Sequence, residues 1–182
     1  MFFCLRNTLE LDAARPVSDM AAFFGYQPAP SAALMLTLAR EHGCVSACLQ
    51  GAEQSFTASE PCSEAAASGD ITSCVKLVVL KVFAELTGLQ PKLPWGILTG
   101  VRPTKLAHKL LDSGVDAAAL PEYLSENYLL PLPQGRLLTD IALKQKHILS
   151  DSTRLTDTGI YIGVPYCPSR CSYCSFPAGI VP

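Results

Sequence analysis

The sequence lacks the features that mark a nucleic-acid-binding or membrane-spanning protein. Its 14 Lys and Arg residues face 16 Asp and Glu residues, and the formal net charge is -2. No positive excess is therefore available for a phosphate backbone or an anionic membrane surface. The longest apolar run, residues 75–86, is interrupted by Lys76, Lys81 and Glu85 and is too short to cross a bilayer. We expect neither nucleic acid nor membrane among the partners.

An export signal is also missing from the first residues. The N-terminal segment is apolar at its start, but Arg6 and Glu10 follow before an apolar core of signal-peptide length can form. The rest of the composition, 49% hydrophobic and 16% charged over 182 residues, is typical of a soluble globular protein that can bury a core. We therefore expect a cytoplasmic protein.

The order of sequence patterns predicts an α+β fold in three parts. Residues 1–88 predict a small N-terminal α/β accessory domain with short strands, and residues 89–155 predict a helical connector. Residues 156–182 contain a strand pattern that runs into a cysteine-rich loop. Each part is short, so the domain boundaries follow changes in periodicity and not long linkers.

Periodicity and turn residues give the individual elements. Ser18 or Asp19 is expected near the start of the first helix, while Asp70 caps the second helix and Gly88 ends it. Residues 51–70, rich in Ser, Ala, Glu and Gly, predict a loop. The predicted strands are 2–11, 32–40, 44–51 and 159–164, and the predicted helices are 17–25, 70–86, 103–113, 117–129 and 133–150.

Eight cysteines without an export signal call for an explanation other than disulfides. Cys167, Cys171 and Cys174 stand apart, because they form a CxxxCxxC pattern on one short loop. The others lie scattered among Ala, Val and Leu, which is typical of small, reduced core residues; they are Cys4, Cys44, Cys48, Cys62 and Cys74.

The three clustered thiols favour an iron–sulfur cluster over two alternatives. Zinc takes four ligands, usually in two pairs, and no second Cys or His pair lies nearby. A thioredoxin-like pair formed by Cys171 and Cys174 would leave Cys167 unused. Three thiolates can instead hold three irons of a cubane cluster and leave the fourth iron open to a ligand.

Two stretches carry a resemblance to a known family. YIGVPYCPSRCSYCSFP resembles the radical S-adenosylmethionine (SAM) superfamily and, within it, the oxygen-independent coproporphyrinogen III oxidase-like proteins. WGILTGVRPTKLAHKLLDSG resembles the HemZ-type branch of that family. The likeness covers the chain from about Trp95 onward and is clearest in these two strings.

The resemblance implies a cofactor set and a reaction. Cys167, Cys171 and Cys174 would hold a [4Fe-4S] cluster whose open iron binds SAM, and Tyr161 and Tyr173 would contact SAM. The implied enzyme is an oxidoreductase that decarboxylates coproporphyrinogen III to protoporphyrinogen IX in haem biosynthesis. An electron donor such as a flavodoxin or ferredoxin is implied as a partner.

The same resemblance implies a (β/α) barrel, of which residues 156–182 would supply the first strand and the cluster loop. Since the later strands and the substrate pocket would be missing, we expect an N-terminal fragment that is inactive alone. Two other functions stay open. One is haem binding or delivery without decarboxylation, because Ser175 and Phe176 follow the motif where some porphyrinogen oxidases carry a further cysteine. The other is a zinc-stabilised binding module.

A second motif, residues 96–109, lies well before the cysteines. Gly96 and Gly100 flank a turn, and Arg102, Lys105 and Lys109 surround the following helix start. Such an arrangement can hold a carboxylate or phosphate, but ordinary capping with a solvated basic face is the favoured interpretation. Docking of this helix against the barrel that would follow is a third interpretation.

Overall fold

A computed structural model describes residues 1–62, 68–99, 102–149, 158, 160–164, 166–174 and 179–180. The chain forms two compact units, Met1–Lys144 and Gln145–Pro182, each taken by itself below. The predicted domain boundaries near residues 88 and 155 stay a prediction.

The first unit contains a mixed five-stranded sheet with the strand order β2-β1-β3-β4-β5. β1 runs parallel to both β2 and β3, whereas the β3–β4 and β4–β5 pairs are antiparallel. The strands are β1 Phe2–Asn7, β2 Gln27–Pro28, β3 Leu34–Glu41, β4 Cys44–Gln50 and β5 Ser55–Pro61. The predicted mixture of helices and strands is confirmed.

Five helices lie in the described part of the chain. They are α1 Ala14–Ala22, α2 Ser68–Thr87, α3 Pro103–Asp112, α4 Leu120–Tyr128 and α5 Leu132–Leu149. Each corresponds to a predicted helix. The predicted stop at Gly88 is confirmed, because this residue follows α2 with a φ angle of +67°, and Gly114 follows α3 in the same way with a φ angle of +96°. None of these helices is both long and apolar enough to span a membrane.

Two hydrophobic cores hold the first unit together. α2 packs against β4 and β5 and against α1, and its buried side chains include Val79 and Phe83. The strands contribute alternate residues to this core, as the period-two pattern requires, among them Leu36 and Leu38 of β3. The second core joins α3, α4 and α5; its buried members are Ala107, Leu110, Leu120, Leu124, Leu130, Leu138 and Ala142.

β3 and β4 form an antiparallel hairpin. The predicted strands 32–40 and 44–51 leave residues 41–43 between them, and the structure narrows this loop to His42 and Gly43, with φ angles of +50° and +72°. Two successive left-handed residues match the twist of a two-residue hairpin loop.

The predicted loop over residues 51–70 is wrong in its central part. Ser55–Pro61 forms β5, which pairs with the whole of β4 from Gln50 opposite Ser55 to Cys44 opposite Pro61. Phe56 and Ala58 pack against the core, whereas the alternate residues Ser55, Thr57 and Ser59 are exposed. The polar composition had concealed this alternation. Residues 63–67 of the predicted loop lie outside the described residues.

The predicted starts of two helices are also corrected. α1 begins at Ala14, because the Asp12 carboxylate accepts a hydrogen bond from the Ala14 N–H at 2.9 Å. Ser18 and Asp19 therefore lie inside the helix and not at its start. α2 begins at Ser68, which places Asp70 in its first turn instead of at the cap.

The predicted strand over residues 159–164 is wrong where the structure describes it. Residues 160–164 have no regular secondary structure, and Tyr161 is 94% exposed. Two-residue strands, β6 Tyr166–Cys167 and β7 Gly179–Ile180, instead form a parallel pair. A strand needs a hydrogen-bonding neighbour, and no described segment pairs with residues 160–164.

Candidate functional site

The three predicted cluster ligands lie in the second unit around β6. Cys167 ends β6, and Cys171 and Cys174 flank the short turn that follows. The backbone N–H of Cys174 donates to the carbonyl of Cys171 at 3.0 Å, which closes this turn. Cys167 and Cys171 are exposed, and Cys174 is half-buried.

The donor chemistry of this loop fits an iron–sulfur cluster. Three thiols occur within eight residues, and thiolates are the ligands that such clusters require. Within the described ranges, however, the structure assembles no group of three Cys, His, Asp or Glu side chains into a metal-holding arrangement. The assignment of Cys167, Cys171 and Cys174 as ligands stays a prediction.

The two predicted SAM contacts, Tyr161 and Tyr173, are open to solvent. Their exposed fractions are 94% and 87%, so neither ring belongs to a core. The Tyr161 ring lies over Gly163, where a Cβ atom would come within 3.1 Å of Cε1. Gly163 thus lets the ring approach the backbone before the cysteines. The predicted contact with SAM stays a prediction for both residues.

A second site, absent from the sequence predictions, centres on a buried lysine of α2. The ammonium of Lys76 donates to the carbonyl of Ile97 at 2.8 Å and to the hydroxyl of Thr99 at 2.9 Å. The Thr99 hydroxyl in turn donates to Asp19 of α1 at 2.8 Å. Lys76 is only 7% exposed; burial lowers its pKa below the usual 10.5, and the Asp19 carboxylate partly offsets this.

This network explains how residues 97–99 are held between α1 and α2. The sequence showed Lys76 only as an interruption of an apolar run. The available signal was its position, since a lysine that falls on the apolar side of a long helix needs acceptors in the folded protein. The acceptors themselves could not be identified from the sequence, because they lie 21 and 23 residues away from Lys76.

The Lys76 network forms one wall of a cleft between α2 and α3. The cleft has a volume of about 610 Å³. Lys105 and Lys109 of α3 line it together with Lys76, and Leu106 and Tyr128 contribute apolar surface. Two basic side chains of the 96–109 motif, Lys105 and Lys109, therefore lie beside a cavity. Residues 100 and 101 of the motif lie outside the described residues. We name this cavity the α2–α3 cleft.

Comparison with known proteins finds a relative in a bacterium. The chain is 36% identical over 179 residues to the oxygen-independent coproporphyrinogen-III oxidase-like protein HemZ of Bacillus subtilis (strain 168). The match covers 90% of this chain and 35% of the relative, so the chain spans about a third of that protein's length. No protein-family model and no solved structure gives a match. The resemblance to the oxygen-independent coproporphyrinogen III oxidase-like family is confirmed.

Proposed function

We propose, from the similarity to HemZ, that this chain is part of a radical SAM oxidoreductase of haem biosynthesis. The observation that carries the proposal is the CxxxCxxC loop, whose thiols are accessible in a chain 36% identical to a coproporphyrinogen-III oxidase-like protein. The proposed reaction is the oxygen-independent decarboxylation of coproporphyrinogen III to protoporphyrinogen IX. A (β/α) barrel would carry this loop in a protein of the relative's length.

Each residue of the loop has a proposed task. Cys167, Cys171 and Cys174 would bind a [4Fe-4S] cluster as thiolates, and Tyr161 and Tyr173 would lie against SAM. Cluster and SAM together supply the hydrogen-abstracting chemistry that a decarboxylation without dioxygen needs. Cys167 and Cys171 are exposed, so iron and sulfide can reach their sulfur atoms from solvent.

The proposal extends to partners and location. A porphyrinogen would be the substrate, a flavodoxin or ferredoxin would donate the electron, and the enzyme would act in the cytoplasm. Because the chain spans about a third of its relative, these statements concern a protein of that greater length.

The test is anaerobic reconstitution of the chain with iron and sulfide. We expect about four irons and four sulfides per chain, and an EPR signal of the reduced sample that changes on addition of SAM. Alanine substitution of Cys167, Cys171 or Cys174 should abolish the signal. Cys48→Ala, on β4, serves as the matched control and should leave the iron content unchanged.

Two outcomes would contradict the proposal. Zinc bound without sulfide would favour a zinc-stabilised module, and a full cluster in Cys167→Ala would remove the assigned ligand set.

The porphyrin step requires a separate assay on a protein of the relative's full length. Carbon dioxide release from coproporphyrinogen III supports the decarboxylase, whereas tight haem binding without release favours haem delivery.

A further inference from the structure

The α2–α3 cleft has a positively charged rim. Lys105 and Lys109 are four residues apart on α3, so they lie on one face of that helix and both line the cleft. Both side chains are exposed, and an anion can reach their ammonium groups from solvent. Two exposed cations on one side of the cleft favour a negatively charged ligand.

One acidic side chain, Asp70, forms a weak ion pair with a lysine of this rim. Asp70 of α2 lies with its Oδ1 atom 3.9 Å from the Lys109 ammonium, and the two side chains are 51% and 65% exposed. An exposed ion pair of this length contributes little to stability. A ligand carboxylate or sulfonate can therefore replace Asp70 as the partner of Lys109 at small cost.

One part of the cleft lining is apolar, while Thr72 and Ser73 of α2 contribute hydroxyl groups elsewhere. Ile97 is 1% exposed, and Leu98 and Leu106 are half-buried against the second core. Tyr128 adds a half-buried ring, and burial raises the pKa of its phenol above 10.0, so the phenol remains a neutral donor at physiological pH. Lys76 is already engaged by Ile97 and Thr99 and fixes this wall.

The size of the cleft suits a small organic molecule. Its volume of about 610 Å³ lies within the range of roughly 300–1,000 Å³ that is usual for ligand pockets. Inorganic anions are much smaller and would leave the apolar part of the lining in contact with water. An anion with an apolar body would cover that part and still pair with the rim.

We propose that the α2–α3 cleft binds an amphipathic organic anion. The acidic group pairs with Lys105 and Lys109, and the apolar body lies against Leu98, Leu106 and Tyr128. This assignment is independent of the iron–sulfur chemistry, since the cleft lies wholly in the first unit and its test needs no cluster.

The test uses 8-anilino-1-naphthalenesulfonate as the probe, with fluorescence titration of the whole chain. We expect one saturable site, and a dissociation constant about tenfold weaker in the double variant Lys105→Gln/Lys109→Gln, because two ion pairs are lost. The matched control is Lys92→Gln/Lys144→Gln, which removes the same charge from exposed positions outside the cleft. Its affinity should stay within about twofold of wild type. Circular dichroism of each variant establishes that it is folded.

A direct-binding comparison and a competition experiment test the charged and the apolar half of the ligand in turn. The uncharged analogue N-phenyl-1-naphthylamine should bind the wild type more weakly than the sulfonate, and laurate should displace the probe at a concentration about tenfold lower than acetate. Equal affinity in the Lys105/Lys109 double variant and wild type would overturn the proposal. So would an equal loss in the control, equal potency of laurate and acetate, or a wild type without a saturable site.

Discussion

Gly96 shows at the scale of one residue how two segments far apart in sequence are brought together. Its φ angle is +55°, and the next residue, Ile97, donates its N–H to the Tyr128 carbonyl at 3.0 Å. A Cβ atom at Gly96 would collide with that carbonyl oxygen and lie 2.7 Å from the Leu129 carbonyl carbon. Only glycine fits here, because both the backbone conformation and the space exclude a side chain.

We expect Gly96→Ala to lower the free energy of unfolding by about 3 kcal/mol or more, because the left-handed φ and the backbone collision add together. Gly88→Ala is the matched control: its φ is +67°, but nothing lies within 4 Å of the added Cβ. That variant should lose only about 1–2 kcal/mol. Urea unfolding measures both, and an equal loss in the two variants would show that the contact with α4 does not constrain the chain.

Cys74 makes the stability of the fold depend on pH. Burial, a hydrogen bond with the Cys62 thiol and the negative charges of Glu60 and Asp70 raise the pKa of Cys74 from 9.0 to about 12. The folded chain therefore keeps this proton in a pH range where the unfolded chain loses it. The resulting stabilisation is complete below pH 9 and disappears as the pH rises toward 12.

We expect the free energy of unfolding of the wild type to fall more steeply above pH 9 than that of Cys74→Ser, since serine does not titrate there. Tyr128, whose pKa is raised chiefly by burial, contributes alkaline loss of the same sign to both proteins, so the difference between them comes mainly from the thiol. Urea midpoints at about pH 8 and about pH 10.5 provide the comparison. Parallel losses in the two proteins would rule out a thiol contribution.

At the scale of elements, α2 is the helix on which the first core depends. Phe83 is fully buried, and its ring contacts Phe3 of β1 at a centroid distance of 5.4 Å. The same ring stacks on Phe24 at 5.9 Å and lies 5.0 Å from Tyr26. One side chain thus joins α2, β1 and the segment after α1.

We expect Phe83→Ala to cost about 3–5 kcal/mol of unfolding free energy, because a large cavity forms among three aromatic rings. Phe23→Ala is the control, since Phe23 precedes Phe24 but is 39% exposed, and it should cost less than about 1 kcal/mol. Denaturant unfolding followed by tyrosine fluorescence gives both values. A loss below about 1 kcal/mol for Phe83→Ala would mean that the cluster relaxes around the cavity.

The elements that could be predicted from the sequence carry strong local signals. The helices α2 and α3 end at glycines with positive φ, and α3 starts with Pro103. β1 was predicted too long because Asn7 bends the chain: its side chain accepts from the Leu9 N–H and donates to the Leu11 carbonyl. β2 was missed because two residues give no periodicity, and only their pairing with β1 defines them.

The two candidate sites differ in how far they could be predicted, because one depends on neighbouring residues and the other on residues distant in sequence. The cysteine spacing is a local pattern, so the loop could be recognised without a structure. The α2–α3 cleft could not, because it depends on contacts such as that between Thr99 and Asp19, which are 80 residues apart. The prediction of a strand over residues 159–164 was wrong although the local pattern was present. The β-branched residues there favour a strand only where a neighbouring strand pairs with them.

At the scale of the whole molecule, burial is concentrated in the first unit. Both hydrophobic cores lie between Phe3 and Ala142, and in the ranges that the structure describes no buried hydrophobic residue follows Ala142. The described residues of the loop around Cys167 are exposed or half-buried. The thermodynamic stability of the chain should therefore reside in the first unit, while the proposed cluster chemistry resides in the second.

This separation predicts that residues 1–144 fold alone. We expect their thermal unfolding to be cooperative, with a midpoint within about 5 °C of the full chain, because all identified core residues are retained. Residues 1–131 provide the control, since removal of α5 deletes the buried Leu138 and Ala142 and exposes the second core. That shorter chain should melt at least about 5 °C lower than residues 1–144. A non-cooperative transition in residues 1–144 would show instead that the first unit requires residues after Lys144 for its stability.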